Sequence, residues 1–161
     1  MKIAVFPGSF DPFTLGHLEI LKSALRIFDK VIVAIGRNAS KSGFFPTDLK
    51  EQIVLDAVKG IDNVEVCTFT GLTVDLCKEK GAQFIIRGMR TTTDFELEKA
   101  ISQANMRMEP SILSVFIPSS HEFAFISSTV VRDVLVNGGD AGAFIPANVD
   151  IQKYLKMRNE Q

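Results

Sequence analysis

The sequence predicts a Rossmann-like α/β fold, a doubly wound sheet of five parallel strands with helices on both faces. Three observations predict it. Five short runs are apolar throughout, as strands buried on both sides of a sheet must be. Between them lie longer stretches whose apolar residues recur at helical spacing. The chain has 161 residues, a length that suits one domain spanning residues 1–161.

The elements follow in order. Lys2 to Phe6 reads as a first strand ended by Pro7-Gly8. From Gly16, Leu18, Leu21, Leu25 and Phe28 mark one face of a helix. Val31 to Ile35 is a second strand stopped by Gly36, and Thr47 is placed to cap a helix running to about Lys59. Val64 to Phe69 is a third strand, and Leu72 to Lys80 a short helix ended by Gly81. Gln83 to Ile86 is a fourth strand, followed by a helix capped by Asp94 and reaching about Met108. Ile112 to Ile117 is the fifth strand, before a helix capped by Ser127 or Ser128 and ended by Asn137-Gly138-Gly139. A last amphipathic helix runs from Asn148 to about Arg158.

Composition narrows the function. A net charge of −1 supplies no field for a nucleic-acid backbone or an anionic membrane, so any cationic site must be local. Cys67 and Cys77 are too few for a disulfide framework or a cysteine-rich zinc site and read as reduced, partly buried thiols. Only four apolar residues, Ile3 to Phe6, precede Pro7-Gly8, and no run approaches the roughly 18 residues of a membrane span. A cytoplasmic location is expected.

In a doubly wound sheet, ligands bind beyond the carboxyl ends of the strands, where strand order reverses. The first strand is not followed by G-x-G-x-x-G, and G-x-x-x-x-G-K-[ST] is absent, which weighs against a dinucleotide dehydrogenase and a P-loop NTPase. Instead comes Pro7-Gly8-Ser9-Phe10-Asp11-Pro12-Phe13-Thr14-Leu15-Gly16-His17. Gly8 would let backbone approach a ligand, Ser9 offers a hydroxyl, and His17 falls in the first turn of a helix, where free N–H groups favour an anion. Taken alone, a Gly-His pair at a helix start favours a structural role for the histidine. The fourth strand leads to Arg87-Gly88-Met89-Arg90, whose guanidinium groups could grip phosphate or pair with Asp94 or Glu96. The fifth leads to Ser127-Ser128-Thr129 at a helix start, where hydroxyls could serve a triphosphate or one of them simply a cap. Lys41, after the second strand, could close over a second anion or lie on the surface; His121 reads as a surface residue. Three anion-ready loops at one sheet edge describe a triphosphate site with a further phosphate nearby.

At these residues the chain resembles the bacterial phosphopantetheine adenylyltransferases, in the nucleotidyltransferase superfamily marked by (T/H)-x-G-H. The matching pieces are Pro7 to Pro12, Thr14-Leu15-Gly16-His17, Ser40-Lys41, Ile86 to Arg90, Asp94-Phe95-Glu96-Leu97-Glu98 and Phe125-Ile126-Ser127-Ser128-Thr129, in family order and spacing. The resemblance implies transfer of the adenylyl group of ATP, with Mg²⁺, to 4′-phosphopantetheine, giving dephospho-CoA and pyrophosphate in coenzyme A synthesis. It implies ATP contacts at Ser9, Phe10, His17, Gly88, Met89, Arg90 and Glu98, and along Phe123, Ala124, Phe125, Ile126, Ser127, Ser128 and Thr129. It implies acceptor contacts at Ser9, Lys41, Thr73 and Arg87, and a homohexamer of two stacked trimers. Ser9 stands where the family often has Thr, Phe123 where Trp is common, Thr73 where Met or Leu is expected, and Thr129 where a third Ser is usual.

The expected mechanism is direct in-line displacement at the α-phosphorus of ATP by the acceptor's phosphate oxygen. An anionic phosphate needs no general base, so the protein's work is positioning and charge stabilisation. His17, Lys41 and Arg90 are the expected catalytic residues: His17 at the α-phosphate, Arg90 with Ser127–Thr129 at the β- and γ-phosphates, and Lys41 with Arg87 at the acceptor phosphate. No protein ligand to a metal is expected; Mg²⁺ accompanies ATP. The alternatives are a superfamily enzyme acting on nicotinamide mononucleotide or an alcohol phosphate, and a non-catalytic nucleotide sensor.

Overall fold

A computed structural model describes residues 1–38, 40 and 42–161. Five parallel strands form one sheet: β1 (Ile3–Gly8), β2 (Lys30–Gly36), β3 (Val64–Phe69), β4 (Phe84–Met89) and β5 (Leu113–Pro118), in the order β3-β2-β1-β4-β5. Helices α1 (Leu15–Ala24), α2 (Thr47–Ala57), α3 (Thr73–Lys80), α4 (Thr92–Met108), α5 (Ser128–Val136) and α6 (Ile151–Asn159) fill the connections and the C-terminal end. The expected doubly wound sheet is the observed one.

Alternation along the strands divides the core in two. Ala4, Phe6, Val31, Val33, Ile35 and Ile86 point to one face, where Leu21, Leu49, Ile53, Val131 and Tyr154 cover them. Val5, Ile32, Ala34 and Ile85 point to the other, under Val74, Leu76 and Cys77 of α3. Fully burying one such aliphatic or aromatic side chain is worth about 1.5–3 kcal/mol, so the double covering fixes the register of the central strands.

Two strands run further than their apolar stretches suggest. β1 continues through Pro7-Gly8, paired in register with Ala34 and Ile35 of β2. Pro7 is tolerated because β1 pairs with β4 only at Ala4 and Val5, leaving no ladder bond on that side for its missing N–H. β4 continues through Arg87-Gly88-Met89, paired with Phe116 to Pro118 of β5. The early parting of β1 from β4 opens a crevice where strand order reverses, the expected ligand position in such sheets.

Three helix starts also differ from expectation. Pro46, not Thr47, precedes α2; its fixed φ suits the entry and no side chain caps the turn. Thr91 caps α4 by accepting from the Asp94 N–H, while Asp94 reaches back to the Arg90 N–H at 3.2 Å. Asp150 caps α6, two residues beyond Asn148. Among the described residues no helix is long and apolar enough to cross a membrane. Cys67 and Cys77 are free thiols, the latter buried and its pKa pushed up to about 11 by burial.

Candidate active site

The crevice between β1 and β4 is a cavity of about 380 Å³. Its floor is the turn after β1, built around aromatic packing. The Phe10 ring lies edge-on to Phe6 at 5.2 Å and to His17 at 5.0 Å, and Phe13 stands 5.3 Å from the His17 ring. Phe10 itself is 2% exposed and adopts φ 45°. A side chain on Gly8 would strike this ring at 2.9 Å, so the glycine makes room for Phe10 while its backbone lines the cavity.

His17 sits at the third position of α1, held by a reciprocal cap. The Thr14 hydroxyl accepts from the His17 N–H, and the Thr14 N–H donates to His17 Nδ1 at 3.0 Å. Because Nδ1 accepts, the neutral ring carries its proton on Nε2. Burial, then the positive charge of Arg90, pushes the His17 pKa down to about 4. At neutral pH the residue is therefore a fixed, uncharged N–H donor at a helix N-terminus.

The α5 start forms a second wall. Ser127 caps the helix, its hydroxyl accepting from the Val130 N–H at 3.2 Å. The Ser128 hydroxyl donates to the Pro12 carbonyl at 2.8 Å, tying α5 to the turn after β1. Arg132, one turn further on, donates to the Asp11 carbonyl at 2.7 Å and to Thr129 Oγ1 at 3.1 Å. The backbone N–H groups of Ser128 and Thr129, in the first turn of α5, have no partner within the helix and remain available to an anion.

The opposite wall comes from β4 and α4. Arg87 meets Glu98 in a bidentate pair, Nε to Oε2 and Nη2 to Oε1 both at 2.5 Å. Arg90 Nε lies 3.5 Å from Asp94 Oδ2. A Cβ on Gly88 would come within 3.1 Å of Ile20, so this glycine admits α1 against β4.

Of the residues expected to contact ligands, the cavity brings together Ser9, Phe10, His17, Arg87, Gly88, Arg90, Glu98, Ile126, Ser127, Ser128 and Thr129. Met89, Thr73, Phe123, Ala124 and Phe125 do not line it. Met89 pairs with Pro118 at the end of β4, Thr73 begins α3 beyond β3, and Phe123 lines a separate surface depression against Leu18 and Lys22. Lys41 lies outside the described residues. His121 is exposed, in keeping with a surface role. Two residues went unnoticed in the sequence: Arg132, whose spacing from Ser128 places it one helical turn along the same face, and Asp11, buried to 7% exposure. Among the described residues no group of three or more His, Cys, Asp or Glu could hold a metal.

Residues 5–134 match the family model described as cytidylyltransferase-like. A phosphopantetheine adenylyltransferase of Cytophaga hutchinsonii is 49% identical over 148 residues, covering 92% of this chain and 99% of that protein. One from Flavobacterium psychrophilum is 44% identical over 152 residues, covering 94% of this chain and all of that protein. The chain belongs to the cytidylyltransferase-like family and, within it, to the phosphopantetheine adenylyltransferases. The family's fold extends to remote structures. A bifunctional NMN adenylyltransferase/ADP ribose pyrophosphatase from Francisella tularensis superposes with TM-score 0.70 at 21% identity, over 92% of this chain and 46% of that one. Within the phosphopantetheine adenylyltransferase family, then, this chain carries its basic, hydroxyl and imidazole groups around one crevice at the strand-order reversal.

Proposed function

We propose that this chain, acting as one nucleotidyltransferase domain over residues 1–161, transfers the adenylyl group of ATP to 4′-phosphopantetheine, releasing pyrophosphate and forming dephospho-CoA in coenzyme A synthesis. The observation that carries this reading is the neutral His17, its Nε2–H left for a ligand, in the same cavity as Arg90 and the start of α5. ATP lies with its α-phosphate against His17 and its β- and γ-phosphates against Arg90, Arg132 and the Ser127–Thr129 turn. Ser9, Phe10, Gly88, Met89, Glu98 and the Phe123–Ile126 segment complete the nucleotide contacts. The acceptor phosphate is met by Arg87 and Lys41, with Ser9 and Thr73 along the acceptor.

The acceptor's phosphate oxygen attacks the α-phosphorus and pyrophosphate departs. His17 stabilises charge on the α-phosphate as a fixed dipole that needs no reorganisation. Mg²⁺ enters as part of the MgATP substrate, which suits a cavity whose carboxylates, Asp94 and Glu98, are engaged by arginines. A cytoplasmic location agrees with two free thiols.

The reading includes a homohexamer. α4 supports it: Leu97, Ile101 and Met108, at i, i+4 and i+11 on one face of the helix, are 40–64% exposed, an apolar stripe that a subunit contact would cover. Light scattering should return the mass of six 17.7 kDa chains; a single-chain mass at micromolar concentration would rule the assembly out. For the activity, pyrophosphate release from ATP is measured with phosphopantetheine, pantetheine and nicotinamide mononucleotide in parallel. Only phosphopantetheine should support turnover, and good use of nicotinamide mononucleotide instead would sink the acceptor assignment.

A further inference from the structure

We infer that Asp11 is a positioning residue for the acceptor half of the site: its carboxylate clamps the connection between β2 and α2 onto the turn that bears Ser9. Asp11 is nearly buried, and each of its oxygens is used. Oδ2 accepts from the Phe44 N–H at 2.7 Å and Oδ1 from the Phe45 N–H at 2.8 Å. Hydrogen bonds from two consecutive backbone amides to an ionised carboxylate are roughly twice as strong as neutral ones. They also demand a carboxylate, since an asparagine would turn an NH₂ group toward one of the two N–H donors.

The other side of the turn is held as well, by Arg132 at the Asp11 carbonyl and Ser128 at the Pro12 carbonyl. The loop is built to receive the clamp. A Cβ on Gly43 would lie 2.8 Å from Asp11 Oδ2 and 3.3 Å from Lys50 Nζ, so only glycine lets the chain close there. Lys50, 6% exposed, places its Nζ 3.3 Å from the same Cβ position, so the space beside the carboxylate also holds a lysine. On the far side Arg158 donates to the Phe44 carbonyl and stacks on the Phe44 ring at 4.0 Å, so this peptide is gripped from both faces.

The clamped segment begins two residues after Lys41 and walls a second cavity, of about 960 Å³, that shares Ser9 with the nucleotide cavity. Fixing this loop to the Ser9 turn sets the acceptor side relative to the nucleotide without touching the nucleotide. This inference rests on the proposed reaction for its kinetic test but not for its structural one.

The experiment uses the full chain with Asp11→Asn and, to perturb the clamp from the loop side, Gly43→Ala. Amide hydrogen exchange is followed at Phe44 and Phe45, and KM is measured separately for phosphopantetheine and ATP. Exchange at both amides should accelerate at least tenfold in either variant while strand amides of β1 and β2 keep their protection. The KM for phosphopantetheine should rise about tenfold or more and that for ATP less than threefold. Because both substitutions act on one clamp, the double variant should cost little more than the worse single one. Unchanged exchange at Phe44 and Phe45 would overturn the clamp whatever the enzyme's acceptor. Normal exchange effects with equal changes in both KM values, or none, would overturn its role on the acceptor side. Wild-type inactivity on phosphopantetheine with the exchange effect intact would count against the reaction, not the clamp.

Discussion

The cavity's two walls hold their polar groups in different ways. On the wall made by the β1–α1 turn and the start of α5, other parts of the chain fix each group in a geometry that leaves a donor free. His17 gives Nδ1 to the Thr14 amide and keeps its other nitrogen, and Ser128 anchors to Pro12 while the Ser128 and Thr129 N–H groups stay open. On the wall made by β4 and α4, the cations are held by carboxylates instead: Arg87 by Glu98 and Arg90 by Asp94. An anion binding the first wall finds preset dipoles, whereas one binding Arg87 must compete with Glu98 or share its charge. The first arrangement suits stabilisation of a transition state, and the second suits reversible capture of a substrate.

The contrast should break most sharply at His17. Replacing it with Ala should lower kcat by about 10²–10³-fold and leave the KM for ATP nearly unchanged, as for loss of one preorganised donor. Wild-type turnover in a folded variant would remove His17 from the preset wall.

Arg87→Ala should act on the other wall. Losing a charge-assisted contact costs about 1.5–3 kcal/mol, so the KM for phosphopantetheine should rise about 10–150-fold and that for ATP much less. Lys41→Ala should move the same parameter, with some loss of kcat. Equal effects on both substrates would erase the distinction between the walls.

A third consequence is the pH dependence of stability. His17 has a folded pKa of about 4 against an ordinary 6.5, so between those values the unfolded chain binds more protons. Stability should therefore rise with pH across that window and lose this contribution as pH falls through it. The contribution is at most about 3 kcal/mol, and less where water in the open cavity screens it. Urea unfolding at pH 4.5 and 7 should show a smaller difference in His17→Gln than in wild type. An unchanged difference would contradict the neutral imidazole.

The smallest effect belongs to the tie between the walls' supports. Ser128→Ala loses the bond to the Pro12 carbonyl, costing about 1 kcal/mol, or about 2–4 °C in Tm for a chain of this size. No shift would show the tie to be idle.

Much of this architecture is legible from residue type. The strands announce themselves because burial on both faces leaves no polar position in Val31 to Ile35, and the anion-ready turns because Thr-x-Gly-His and Ser-Ser-Thr stand at helix starts. What stays hidden depends on neighbours distant in sequence. That Gly8 and Gly88 make room for Phe10 and Ile20 depends on side chains the sequence does not place beside them. Arg87 could have paired with several carboxylates, and only the turn of α4 selects Glu98. Asp11 gave no signal because its partners are backbone N–H groups some 33 residues away. The exposed apolar face of α4 likewise becomes visible only once packing shows what does not cover it.

The central claim is that one displacement joins the two walls: the acceptor phosphate attacks the α-phosphorus directly, with no covalent intermediate on the protein. ATP made chiral at the α-phosphorus, turned over with phosphopantetheine, tests it. Direct transfer predicts inversion of configuration in the dephospho-CoA product. Retention would mean two successive displacements through an adenylylated side chain, and would contradict the account.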